Sequence, residues 1–114
     1  YGDGAQTRCF GNVRDIVDAI YKLSEAPEAI GKVFNIGSTE EISIKGLAER
    51  VISRAKSNST INFIPYDQAY EKGFEDFVRR VPSIDKIMQM IEWKPTTPLD
   101  ITIDQIIDYM QKEK

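Results

Sequence analysis

The chain has 114 residues, a net charge of −3 and a pI of about 5.0, with 41% hydrophobic and 29% charged residues. This is ordinary globular composition for one domain, and the acidic balance argues against nucleic-acid or membrane-surface partners. No apolar run approaches the roughly 20 residues of a membrane span. There is no histidine, and Cys9 is the single cysteine. Zinc sites, Ser-His-Asp triads, Cys-His pairs and an internal disulfide are thereby excluded, and Cys9 fits a reducing, cytoplasmic compartment.

Gly2-Asp3-Gly4 reads as a turn leading into a short strand from Thr7 to Phe10. Asn12 caps a helix with apolar positions Val13, Ile16, Val17, Ile20 and Leu23, ending near Pro27. Lys32–Ile36 reads as a buried strand closed by Gly37, and Ser43 as the cap of a second helix carrying Leu47, Ala48, Val51, Ile52 and Ala55. After a polar break at Lys56–Thr60, Ile61–Pro65 reads as a third strand. Asp67–Val81 lacks a clean period and reads as an ordered, function-bearing loop with a turn of helix. Pro82-Ser83 starts a helix with Ile84, Ile87, Met88 and Ile91 on one face. Thr97-Pro98-Leu99-Asp100 starts the last, which buries Ile103, Ile106, Ile107 and Met110.

These elements predict an α/β fold, mainly helical, with four helices and three short strands. Strands this short do not make a self-sufficient sheet, and the open side needs a partner. With a start at Tyr1 that has neither initiator Met nor leader, this predicts a piece of a larger molecule.

Chemistry without histidine must rest on Arg, Lys, Tyr, carboxylates or backbone groups. Arg8 follows a glycine turn that lets backbone approach an anion, and arginine grips phosphate by bidentate, charge-assisted bonds. On spacing alone, however, Arg8 reads as a surface arginine paired with Asp15 or Asp18. Arg79 and Arg80 close the aromatic loop. Adjacent arginines point different ways, so one can pair with Glu75 or Asp76 while the other faces a ligand. A solvated charge pair is the default unless Arg8 and this pair converge. Tyr1, Tyr66, Tyr70, Phe74 and Phe77 read mostly as core, with room for one ring to stack on a base or close over a sugar. Trp93 reads as a helix-end staple, and Cys9 as a buried inert thiol.

Four segments then resemble the C-terminal part of the NAD-dependent epimerase/dehydratase family, the extended short-chain dehydrogenase/reductases that act on nucleotide sugars. Tyr1-Gly2-Asp3-Gly4-Ala5-Gln6-Thr7-Arg8-Cys9-Phe10 and the helix after it resemble the family's Tyr-Gly-x-Gly-x-Gln-x-Arg-x-Phe segment. Val33-Phe34-Asn35-Ile36-Gly37 resembles its Phe-Asn-Ile-Gly strand. Arg80-Val81-Pro82-Ser83-Ile84-Asp85-Lys86 and Trp93-Lys94-Pro95 resemble its Arg-x-Pro segment and closing Gly-Trp-x-Pro. Position 92 departs from that pattern, with Glu where the family usually has Gly.

The resemblance implies that residues 1–114 are a C-terminal nucleotide-sugar-binding domain. Arg8 would grip the nucleotide diphosphate, Tyr1 would lie near the nucleotide, and Arg80 near the phosphates or the sugar. Phe74 would help to close the pocket, as in the UDP-glucuronate decarboxylase branch. The segment Tyr70–Asp76 resembles the decarboxylase and epimerase group more than the dTDP-glucose dehydratases. The family's Gly-x-x-Gly-x-x-Gly fingerprint for NAD, its Tyr-x-x-x-Lys and its catalytic Ser or Thr are absent. The resemblance therefore implies NAD bound by a separate N-terminal Rossmann domain, catalytic residues upstream of Tyr1, a homodimer formed through that domain, and no turnover by this piece alone. It implies a UDP-hexose or UDP-hexuronate 4-epimerase. Decarboxylation or dehydration within the same family remains open, and so does a freestanding binding domain with no catalysis.

Overall fold

Two side-chain caps set the first two long helices of this computed structural model, which describes residues 1–69 and 77–112. Asn12 accepts from the Arg14 amide at 2.9 Å and starts α1, Val13–Ser24. Ser43 accepts from the Gly46 amide at 3.0 Å and starts α2, Ile44–Arg54. Each cap satisfies an amide that a helix N-terminus otherwise leaves without a partner. Further along come the four-residue helix α3 (Tyr66–Ala69), α4 (Asp85–Ile91) and α5 (Leu99–Lys112). A 3-10 turn, Pro27–Ala29, follows α1.

The strands depart from expectation. β1, Thr7–Cys9, forms as predicted, but its partner is β2, Glu41–Ser43. Neither Lys32–Ile36 nor Ile61–Pro65 forms a strand. The burial alternation at Phe34 and Ile36 against Val33 and Asn35 is strand-like. Extended chain becomes a strand only with a partner, however, and the Val33 carbonyl accepts from the Lys86 ammonium at 2.7 Å. The result is a mainly helical fold with two short strands.

The chain divides into two units. The first comprises Tyr1–Arg8, Ile42–Arg80 and Ile103–Lys114. Within it the glycine turn is clamped to the start of α2: Lys45 donates its amide to the Gly4 carbonyl at 2.9 Å, and Ile44 to that of Gln6 at 3.0 Å. Gly4 has φ +72°, and a Cβ there would lie 3.0 Å from Lys45 Cβ and 3.1 Å from its amide nitrogen. Only glycine allows this approach. Arg54 of α2 makes a bidentate pair with Asp104 of α5, Nε to Oδ1 at 2.6 Å and Nη2 to Oδ2. The Arg54 hydrogen bond holds the Asp104 carboxyl below its ordinary range.

The second unit comprises Cys9–Glu41 and Val81–Thr102. Its core is Ala19, Ile87 and Trp93, with Leu23, Phe34, Ile36, Ile84 and Ile91 packed around them. Trp93, at 2% exposure, is core rather than a staple at a helix end. The apolar stripe of α1 is only partly buried: Leu23 packs on the core and Ile16 is half-buried, but Val13, Val17 and Ile20 are 71%, 57% and 56% exposed, while Asp15 and Ala19 are buried. In the first unit, Ile103 of α5 is buried as expected and Ile107 is half-buried, but Ile106 and Met110 are exposed.

Asp15 is the polar anchor of the second unit. Its Oδ2 accepts from the Thr96 and Thr97 amides at 3.1 and 2.9 Å, and its Oδ1 from their hydroxyls at 3.0 and 3.1 Å. Burial by itself raises the pKa of this carboxyl. The bonds from Thr97 and Thr96 outweigh that effect, and the net shift is downward. Nearby, Glu92 ends α4 in the left-handed region at φ 54°, with its amide on the Met88 carbonyl at 2.9 Å. Position 92 thus keeps the turn geometry that glycine favours, at a cost in strain.

Two stability predictions follow from these anchors. Asp15→Asn puts an amide nitrogen where a donor-facing oxygen stood, and is expected to destabilise the protein by about 1–3 kcal/mol at neutral pH. Because the folded-state pKa is depressed, the wild-type advantage is present above the ordinary value of 3.8 and fades as pH falls through the lowered one. Urea titrations of both proteins across acid pH measure this; a constant difference would overturn it. Glu92→Gly is expected to stabilise by up to about 1 kcal/mol, since relief of left-handed strain exceeds the extra chain entropy of glycine. A raised midpoint at unchanged slope is the readout.

Candidate functional site

The candidate site lies in the first unit, where β1 meets the segment from Phe77 to Arg80. Thr7 donates its amide to the Val78 carbonyl at 2.8 Å and accepts from the Arg80 amide at 3.4 Å. This is a parallel bridge between Thr7 and Arg79. In that register Thr7 and Arg79 fall on one face, and their successors Arg8 and Arg80 on the other. The neighbouring arginines are thereby told apart: Arg80, not Arg79, shares a face with Arg8.

Both of these side chains reach Phe77. Arg8 Nη1 donates to the Phe77 carbonyl at 2.8 Å and to the Thr7 carbonyl at 2.6 Å. The Arg80 guanidinium lies over the Phe77 ring, 4.4 Å from its centroid, well inside cation–π range. The carboxylates that spacing offers to Arg8 have other work: Asp15 takes four bonds from Thr96 and Thr97, and Asp18 pairs with Lys22 at 2.8 Å. Glu75 and Asp76, the carboxylates that spacing offers to Arg79 and Arg80, lie outside the described residues.

Tyr1 is placed by separate contacts. Its carbonyl accepts from Gln6 Nε2 at 3.2 Å, and its ring is exposed. Gly2 donates to the Ile64 carbonyl at 2.8 Å, and the Tyr66 ring covers Gly2 so closely that a Cβ would lie 2.6 Å from it. Phe74 lies outside the described residues. The structure therefore brings Arg8 and Arg80 together on Phe77, while Tyr1 stands on its own contacts. Phe77 is 62% exposed, so it is not core. The sequence signal for this contact is an aromatic residue three positions before an arginine in a polar stretch.

Two guanidinium groups on one face suit an anion with several oxygens, such as a diphosphate or a carboxylate. A dinucleotide does not fit these residues. The chain has no Gly-x-x-Gly-x-x-Gly, and the first amides of α2 bond to Gly4, Gln6 and Ser43, not to an open anion site. No step through NAD is therefore assigned to this chain. Among the described residues no helix is long and apolar enough to cross a membrane.

The fold recurs in solved nucleotide-sugar enzymes. UDP-glucuronic acid 4-epimerase from Bacillus cereus, in complex with UDP-glucuronic acid and NAD, matches with a TM-score of 0.85 at 24% identity, over 100% of this chain and 35% of that one. dTDP-glucose 4,6-dehydratase from Bacillus anthracis matches with a TM-score of 0.83 at 20% identity, over 100% and 34%. In sequence, UDP-N-acetyl-alpha-D-glucosaminuronate decarboxylase from Bacillus cytotoxicus is 32% identical over 112 residues, 98% of this chain and 35% of that protein. The profile of the GDP-mannose 4,6 dehydratase family matches residues 1–106. The chain belongs to this family of NAD-dependent epimerase/dehydratases, extended short-chain dehydrogenase/reductases of nucleotide sugars, and spans about a third of the length of the relatives it matches.

Proposed function

We propose that residues 1–114 are the C-terminal nucleotide-sugar-binding part of a UDP-hexose or UDP-hexuronate 4-epimerase. The observation that carries this reading is the convergence of Arg8 and Arg80 on one face, fixed by the Thr7–Arg79 bridge. Two guanidinium groups on one face suit an anion with several oxygens, and a diphosphate offers oxygens enough for two forks. In this reading Arg8 grips the diphosphate and Arg80 binds phosphate or sugar. Tyr1 lies beside the nucleotide, and Phe74 closes over the sugar. Catalytic groups and NAD belong to a Rossmann domain that would precede these residues, with dimerisation through that domain.

The family covers several reactions on one fold, and the epimerase reading draws on the structural match to UDP-glucuronic acid 4-epimerase. A second reading, decarboxylation of a UDP-hexuronate, draws on the 32% identity to a decarboxylase. There Arg80 would hold the substrate carboxylate.

Two experiments on the full-length protein test this. Arg8→Ala is expected to raise the Kd for UDP about ten- to a hundredfold, from the loss of about 1.5–3 kcal/mol in charge-assisted hydrogen bonding. Equal UDP affinity in titrations of both proteins would remove Arg8 from the phosphate site. With UDP-glucose and UDP-glucuronate offered in turn, the epimerase reading expects the 4-epimer of one or both without release of CO2. Carbon dioxide and a UDP-pentose would instead establish decarboxylation.

A further inference from the structure

We propose that Phe77 is a positioning residue that sets the two guanidinium groups in place for the anion, an inference that rests on the phosphate-binding reading above. Its ring is 62% exposed, so burial of apolar surface does not account for its position. It offers two electron-rich surfaces to two cations: the carbonyl oxygen to Arg8 at 2.8 Å, and the ring face to Arg80 at 4.4 Å from the centroid. Each contact holds one guanidinium in place before a ligand arrives.

The two arms work differently. Arg8 Nη1 donates to two carbonyls, those of Thr7 and Phe77, and two bonds from one nitrogen fix the guanidinium plane. The Phe77 carbonyl is itself held in place, because Val78 and Arg80 bond to Thr7 on either side of the bridge. This arm is backbone and survives any side-chain change. The second arm is the ring. A planar cation stacked on it loses rotamer freedom before binding, so less is lost when the ligand is gripped. Side-chain substitution at position 77 therefore reads the Arg80 arm alone.

UDP is the probe, and the full-length protein the sample. Phe77→Leu is expected to weaken UDP binding about two- to fivefold, the range of a solvent-exposed cation–π contact. Phe77→Tyr, which keeps the ring face, is expected to restore it. In an Arg80→Ala background, Phe77→Leu is expected to have no further effect, since the group it positions is gone. An undiminished affinity for Phe77→Leu, or the same loss with and without Arg80, would overturn the proposal. Arg8→Ala separates the two levels. If it weakens UDP binding while Phe77→Leu does not, only the positioning role falls. If it has no effect, the phosphate reading falls and takes this role with it. Unchanged unfolding midpoints for the position-77 variants, expected for an exposed ring, keep the comparison to binding alone.

Discussion

Thr7 gives its amide to Val78 and takes the amide of Arg80, and the charge pattern of the first unit hangs on that pairing. A slip of one residue would put Arg79 beside Arg8 and turn Arg80 to the opposite face. Several bonds oppose such a slip. On the other side β1 pairs with β2, and β2 runs straight into α2. The amides of Ile44 and Lys45 then hold the carbonyls of Gln6 and Gly4. Residues 4–8 are thus pinned along both edges. The arrangement also decides where positive potential comes from. A free helix start beside a glycine turn would offer an anion its amides. Here those amides face the turn, so the charge at the site is carried by the guanidinium groups.

The second unit uses its charged groups for architecture. Asp15 sits on α1 with Ala19, one turn further along the same helix face, in the core. A carboxylate taken from water needs compensation, and four donors from two adjacent threonines provide it. They also anchor residues 96–97, just before α5. Lys86 behaves similarly, donating to the Val33 carbonyl and lying 5.0 Å from the Phe34 ring centroid, which steadies an extended segment that has no ladder. Charge in this unit replaces the hydrogen bonding that a third strand would have supplied.

Local signals were legible in the sequence wherever a side chain acts on its own neighbourhood. Asn12 and Ser43 cap the helices their positions foretell, and the apolar spacing locates α4 and α5. What escaped was relational. Phe34 and Ile36 alternate like a strand, but alternation says nothing of a pairing partner, and the three residues of β2 are too few to carry a period. The stripe Val13, Val17, Ile20 tells which face of α1 is apolar, not what covers it; in this chain the buried face centres on Asp15 and Ala19. Arg8 and Arg80 are 72 positions apart in the chain, and only the bridge reveals that they share a face. The aromatic group reads mostly as core because aromatics bury large area, but nothing in the sequence singles out Phe77 as the member that is exposed beneath a cation.

The kind of contact proposed for these arginines bears on why the fold serves several reactions. A diphosphate is common to UDP-, GDP- and dTDP-sugars, so the proposed grip on it would select a substrate class without choosing the bond that changes. The anchors proposed here depend on backbone register and on two cations, neither of which senses the configuration of a sugar carbon. Discrimination must come from groups that meet the sugar itself. Arg80 is the one candidate anchor among the described residues that stands between these roles. Its stacking on Phe77 limits how far the guanidinium can swing. In the proposed reading, the geometry of this side chain over this ring bears on whether the anion it meets is a phosphate or a sugar carboxylate.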